Sequence, residues 1–140
     1  MKTISISDVE YIAFRIAQEL LTQDEPIPHF ASRYPNILES CIATPFQRFS
    51  KKPLYPGLIK KAGILFYLMI KNHPFQNGNK RIAMTTLLVF LYINNKWIDA
   101  DLQELYNFTA WIAESPAQFK DEAVKAIEKF ITTHISDIKP

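Results

Sequence analysis

Nine consecutive residues, His73-Pro-Phe-Gln-Asn-Gly-Asn-Lys-Arg81, gather the side chains of this sequence best suited to act together on a ligand. His73 is the member of the set that can take up a proton near neutral pH. Gly78 lets backbone approach a ligand closely, because no side chain stands in the way. Asn77 and Asn79 can cap a helix or donate amide N–H groups to anionic oxygens. Lys80 and Arg81 add two cations at the same place. The run that follows is apolar almost all round as far as Ile93, so the loop should feed straight into a buried helix. The start of such a helix offers unpaired backbone N–H groups and the positive end of the dipole. A general base beside an anion cradle suits attack by a hydroxyl on a nucleoside triphosphate, in which the protein positions the reactants and neutralises developing charge.

Each residue also has an ordinary structural reading. A histidine can cap or pack, Asn-Gly is a common turn, and Lys-Arg can be surface charge. Phe75 reads as an anchor whose ring pins the loop to the core. Charge distribution favours the functional reading. From Ser40 to Ile98 there is no Asp or Glu, while Arg48, Lys51, Lys52, Lys60, Lys61, Lys71, Lys80, Arg81 and Lys96 lie within that stretch. All 14 acids of the chain sit in the flanks, so a net charge of only +2 conceals a positive middle third that should attract an anion.

The elements that must hold this loop are helical. Ser7-Asp-Val-Glu10 reads as a capping box for a first helix with the stripe Val9, Ile12, Ala13, Ile16, Ala17 and Leu20, ending in Gln23–Pro28. Prolines 35, 45, 53 and 56 interrupt the next stretch. A short helix near Asn36–Ala43 and an extended flap near Phe46–Tyr55 are expected there. Helices then follow over Leu58–Lys71, Arg81–Ile93 and Asp101–Glu114, the last capped by Asp99 or Asp101. A final helix opens at Ser115-Pro116, with the stripe Phe119, Ala123, Ala126, Ile127, Phe130 and Ile131. No alternating run is long enough to argue a sheet. The expectation is one all-α domain over residues 1–140, bundled around the Arg81–Ile93 helix. With 140 residues and one cysteine, Cys41, the chain excludes a disulfide scaffold. No apolar run reaches membrane-spanning length and no signal peptide is evident, so a cytoplasmic protein is expected.

The motif resembles the Fic/Doc signature: a histidine, an aromatic two positions on, an acidic or polar position, a small residue, then Asn-Lys/Gly-Arg. The likeness extends upstream through Leu54-Tyr55-Pro56 and Lys60-Lys61-Ala62, and downstream through Phe90-Leu91 and Asn94-Asn95. It implies a helical bundle with a small irregular or hairpin flap. Fic proteins that transfer AMP usually carry glycine where this chain has Lys80, and a second arginine where it has Met84. Both differences resemble the Doc (death-on-curing) toxin branch. There the implied reaction is phosphoryl transfer from ATP to a protein hydroxyl, with elongation factor Tu as the known type of target. His73 would be the base, Gly78, Asn79, Lys80 and Arg81 would hold phosphates, and Phe75 would support the loop. Mg²⁺ would meet Asn77, where the family normally has Asp or Glu; an amide ligates it more weakly than a carboxylate. The Ser/Thr-x-x-x-Glu-Gly/Asn helix by which some Fic proteins restrain themselves is absent, so the resemblance implies a separate Phd-like antitoxin chain as partner.

Two further functions fit the same residues: Fic-type AMP or nucleotidyl transfer, and a non-catalytic module binding nucleotide or protein, its metal position weakened by Asn77. Zinc chemistry does not fit, because His29, Cys41, His73 and His134 are scattered. No direct nucleic-acid binding is expected, since the aromatics of the basic segment are at core-like spacing.

Overall fold

The computed structural model describes residues 1–20 and 26–138, and its chain begins in a helix that changes pitch. Short α1 (Ile6–Asp8) runs into a π-helical turn, Val9–Ala13, and on into α2 (Phe14–Glu19) without leaving helical backbone angles. The cap is Ser5, not Ser7. The Ser5 hydroxyl accepts from the Asp8 N–H at 3.0 Å, and the Asp8 carboxylate accepts from the Ser5 N–H at 2.9 Å. Ile4 and Val9, just outside and just inside that box, are both buried, the arrangement of a hydrophobic staple.

The expected stripe is half right. Val9, Ala13 and Ala17 face the core, but Phe14 joins them while Ile12 and Ile16 are each 43% exposed. Phe14 wins the inward position because its ring packs on Phe30 and Phe75, at 5.3 and 5.6 Å between centroids. Helical backbone ends at Glu19, with Leu20 already extended. Of the Gln23–Pro28 stretch expected to end the helix, the part up to Glu25 lies outside the described residues.

Pro35 opens α3 (Pro35–Ala43) from the first helical position, where its missing N–H costs nothing. The flap is a hairpin of two-residue strands, β1 (Arg48–Phe49) and β2 (Lys52–Pro53). Its turn residues Ser50 and Lys51 have φ of 49° and 67°, as a two-residue loop between twisted strands requires.

Two helices of 15 residues each, α4 (Gly57–Lys71) and α5 (Asn79–Ile93), form the centre. The inward side of α4 is broader than its periodicity suggests: every residue from Lys61 to Ile70 is buried. α5 is buried from Arg81 to Leu91 apart from half-buried Leu88. α2 and the π turn pack on α5, α6 (Leu102–Glu114) packs on both central helices, and α7 (Lys120–His134) packs on α4. Asp101 caps α6, accepting from the Glu104 N–H at 2.9 Å. Ser115-Pro116 leads through a 3₁₀ turn into α7.

A second small sheet was not expected. β3 (Lys96–Ile98) pairs antiparallel with β4 (Ile135–Asp137), in the register Lys96 to Asp137, Trp97 to Ser136 and Ile98 to Ile135. A Lys96–Asp137 ion pair closes its open end. The fold is all-α with these two minor sheets. Among the described residues no helix is long and apolar enough to cross a membrane.

Cys41 is fully buried in α3. Burial pushes its thiol from 9.0 up to about 11, against a smaller opposing pull from a hydrogen bond with Asn72. Between those values only the unfolded chain sheds the proton, so stability falls as pH rises through this window. Melting temperatures followed from about pH 8 to about pH 11 should therefore decline more steeply for the wild type than for Cys41→Ala. Tyr67, whose hydroxyl burial also pushes up, should leave the variant a residual slope. Equal slopes would assign the alkaline loss to other groups.

Candidate active site

The loop between α4 and α5 begins under backbone strain. His73 has φ of 49°, in the left-handed region that costs a side-chain-bearing residue free energy, and it precedes a proline. Such strain persists where the surroundings over-determine it, and it clusters at functional sites. Here the surroundings are identifiable. The buried Pro74 accepts through its carbonyl from the Tyr34 N–H at 2.9 Å, which ties the loop to the start of α3. Phe75 is 1% exposed and lies against Phe14 and Phe30, at 5.6 and 5.8 Å between ring centroids.

Asn79 completes the hold. Its Oδ1 accepts from the Phe75 N–H at 3.0 Å, and its Nδ2 donates to the Phe75 carbonyl at 2.8 Å. These two bonds fix which end of the amide is which, so it is the NH₂ group that faces His73 Nδ1, at 3.4 Å. A ring nitrogen facing a donor carries the lone pair, which puts the imidazole proton on Nε2. The same amide therefore clamps the loop and sets the histidine tautomer. A phosphate role for its side chain would compete with both bonds, which leaves the Asn79 backbone N–H as its freer donor.

Gly78 adopts φ of 78° and leads into α5, whose first internal bond is Ile82 N–H to the Gly78 carbonyl at 2.9 Å. Gly78, at the cap position, has no side chain with which to close this helix, and the first turn holds no acid. That turn instead contains Lys80 and Arg81, cations at the positive end of a helix, where the dipole disfavours them. An anion at this point would reverse the local electrostatics. It would meet the N–H groups of the first turn, the dipole and two positive side chains at once.

The two cations are placed differently. Lys80 is half-buried at the surface, whereas Arg81 is 3% exposed and its Nη1 donates to the Leu20 carbonyl at 3.4 Å. Asn77 and Gln76 stand exposed at the tip of the loop. The space beside Gly78 is not open: Ile27 fills it, and a Cβ built on Gly78 would come within 2.7 Å of Ile27 Cγ1. Sequence reasoning missed Leu20, Ile27 and Tyr34 as neighbours of the loop. The apolar residue held between Pro26 and Pro28 was the one available clue.

The family model described as "Fic/DOC family" matches residues 3–91, which takes in the whole loop and most of α5. The chain belongs to the Fic/DOC family. It is also similar to a protein described as "Toxin Doc" from Mycolicibacterium smegmatis, with 34% identity over 65 residues. That match covers 46% of this chain and 50% of the relative, so it spans about half of the relative's length. No solved structure matches. In this Fic/DOC chain the position implied to face Mg²⁺ is the neutral amide of Asn77. Among the described residues no group of three His, Cys, Asp or Glu could hold a metal ion. The loop itself brings no carboxylate that could hold magnesium.

The strain and the clamp are both measurable. His73→Gly should be more stable than His73→Ala by about 1 kcal/mol, because glycine adopts positive φ without steric penalty. Asn79→Ala should cost about 2 kcal/mol in denaturant unfolding, through two lost bonds to a buried peptide. A cost near zero would show that the loop holds itself.

Proposed function

We propose that this chain is a Doc-like toxin that transfers a phosphoryl group from ATP to a hydroxyl of a target protein. The observation that carries the reading is the acid-free first turn of α5, opened by Gly78, bearing Lys80 and Arg81 and standing beside a strained histidine. The terminal phosphates would lie against the Gly78, Asn79 and Lys80 backbone, with Lys80 and Arg81 neutralising charge on the migrating and leaving groups. His73 would accept the proton of the attacking hydroxyl. The oxygen–phosphorus bond to the target forms as the bond bridging the β and γ phosphates breaks, and ADP departs. In the tautomer held by Asn79 the basic lone pair is on Nδ1, so the incoming hydroxyl must displace the 3.4 Å amide contact to reach it. Magnesium would arrive with the triphosphate.

The Doc likeness supports two partners for this activity: a protein substrate, with elongation factor Tu as the expected type, and a separate Phd-like antitoxin that restrains the enzyme. A cytoplasmic setting follows from such a target. A second reading is favoured by one observation. With Asn77 in place of an acid and no metal cluster among the described residues, the domain would serve as a nucleotide- or protein-binding module. Nucleotidyl transfer is the third outcome of the same test.

Incubation of the purified protein with cell extract and ATP labelled at the α or the γ phosphate separates the three. Label from γ alone is expected. Label from α would mean AMP transfer, and bound nucleotide without either would mean the binding module. His73→Ala should lower labelling by roughly a hundredfold or more, the usual worth of a general base; full activity would remove the base assignment. Asn77→Asp should raise the magnesium-dependent rate, since a carboxylate holds the ion better than an amide.

A further inference from the structure

We propose that a second copy of this chain docks its flap into the cleft between the end of α6 and the start of α7. The contact is independent of the chemistry at His73. The cleft is lined by Trp111, Glu114, Pro116, Phe119, Glu122 and Ala123. Trp111 and Phe119 are 58% and 48% exposed, two large rings left in water side by side. Trp111 is braced from behind. Its ring stacks on Phe108 at 6.0 Å between centroids, and Phe108 stacks on Phe130 at 4.4 Å. The cleft is also acidic. Glu114 and Glu122 are exposed, and neither has an ion pair among the described residues. Glu114 closes α6, at the negative end of the helix dipole, where a cation is favoured instead. From Trp97 to Phe119 the sequence has four acids and no Lys or Arg. The occupant that fits is an apolar ring flanked by cations.

The chain carries such a segment itself. Phe49, on the flap, is 72% exposed, and Arg48, Lys51 and Lys52 stand exposed around it with no acid in the hairpin. Phe49 pairs directly with Lys52 across the two strands, so ring and ammonium project from one face. Arg48 Nη2 donates to the Lys51 carbonyl at 2.7 Å, which draws its guanidinium over the turn. The flap thus offers its ring in a fixed shape, at little cost in ordering. The two surfaces are anchored at opposite ends of α4. Lys61 donates to the Tyr55 carbonyl at the foot of the flap, and Lys71 donates to the Ala113 carbonyl at 3.1 Å beside the cleft. Those anchors are separated by about 15 Å of helix, and within one copy both surfaces stay open. A flap-to-cleft contact between copies can repeat from copy to copy or close reciprocally into a pair. One ring and a few charges bury far less than the roughly 1,000 Å² of a stable interface, so the association is weak and salt-sensitive.

Sedimentation velocity of the full chain tests this, since a contact of this size should appear only from about 10 μM upward. Average mass should rise with concentration and fall again as salt is added. Phe49→Ser breaks the flap and Trp111→Ala the cleft, and each variant should remain monomeric alone. Mixed in equal amounts they should recover pairs that grow no further, because one sound flap then meets one sound cleft. Both positions are exposed, so the fold should survive either change. Charge reversal gives a second route: a Lys52→Glu chain should lose the association and regain it when mixed with a Glu114→Lys chain. Association that survives both Phe49→Ser and Trp111→Ala would overturn the proposal. So would a wild type that stays monomeric up to about 1 mM, which would leave the cleft to a partner protein presenting the same basic and aromatic chemistry.

Discussion

The side-chain amide of Asn79, bonded at both ends to the peptide groups of Phe75, is the contact on which the geometry of the site depends. It converts the first residue of α5 into a brace for the loop that precedes it. Through that brace the buried ring of Phe75, the strained backbone of His73 and the start of the helix become one rigid unit. Without it, only the Pro74 and Phe75 anchors would hold the loop, since His73 itself is exposed and its backbone conformation is unfavourable. The amide also chooses the tautomer. One neutral side chain thereby governs where the loop lies and which ring nitrogen is basic.

A charge argument complements the mechanical one. The acid-free middle of the chain is distributed around the central helices, and at the head of α5 it leaves cations facing a dipole of their own sign. Natural helices usually place acids there. Within the first turn of α5 itself no acid offsets them.

Most helices were legible because their information is local. The run from Ile82 to Ile93 could only be central, and the Asp101 cap and the Pro35 start appear where the chemistry of helix ends puts them. The errors arose where two local readings competed and tertiary packing chose. Ser5 and Ser7 both begin plausible boxes, and burial of Ile4 beside Val9 settles the matter. Ile12 and Ile16 extend the stripe as well as Phe14 does, until the ring finds Phe30 and Phe75. The β3–β4 pairing joins segments almost forty residues apart and leaves no periodic trace in strands of three residues. At the site, the loop and its helix were evident. The inward course of Arg81 and the placement of Ile27 were not, since each is decided by contact with chain far off in sequence, Arg81 with the Leu20 carbonyl and Ile27 with Gly78.

Both ends of the described chain are moored at the same spot. Asn94 bonds the peptide groups of Lys2 through its side chain, at 2.7 and 3.0 Å, and the neighbouring Asn95 carbonyl accepts from the Ile138 N–H at 3.0 Å. That spot lies at the far end of α5, a helix of 15 residues and hence about 22 Å from the motif. Both moorings therefore lie on the side of α5 opposite His73. A short bridge could also join the two moorings into a ring, so that new ends could be opened in the Ser50-Lys51 turn with the central helices uncut.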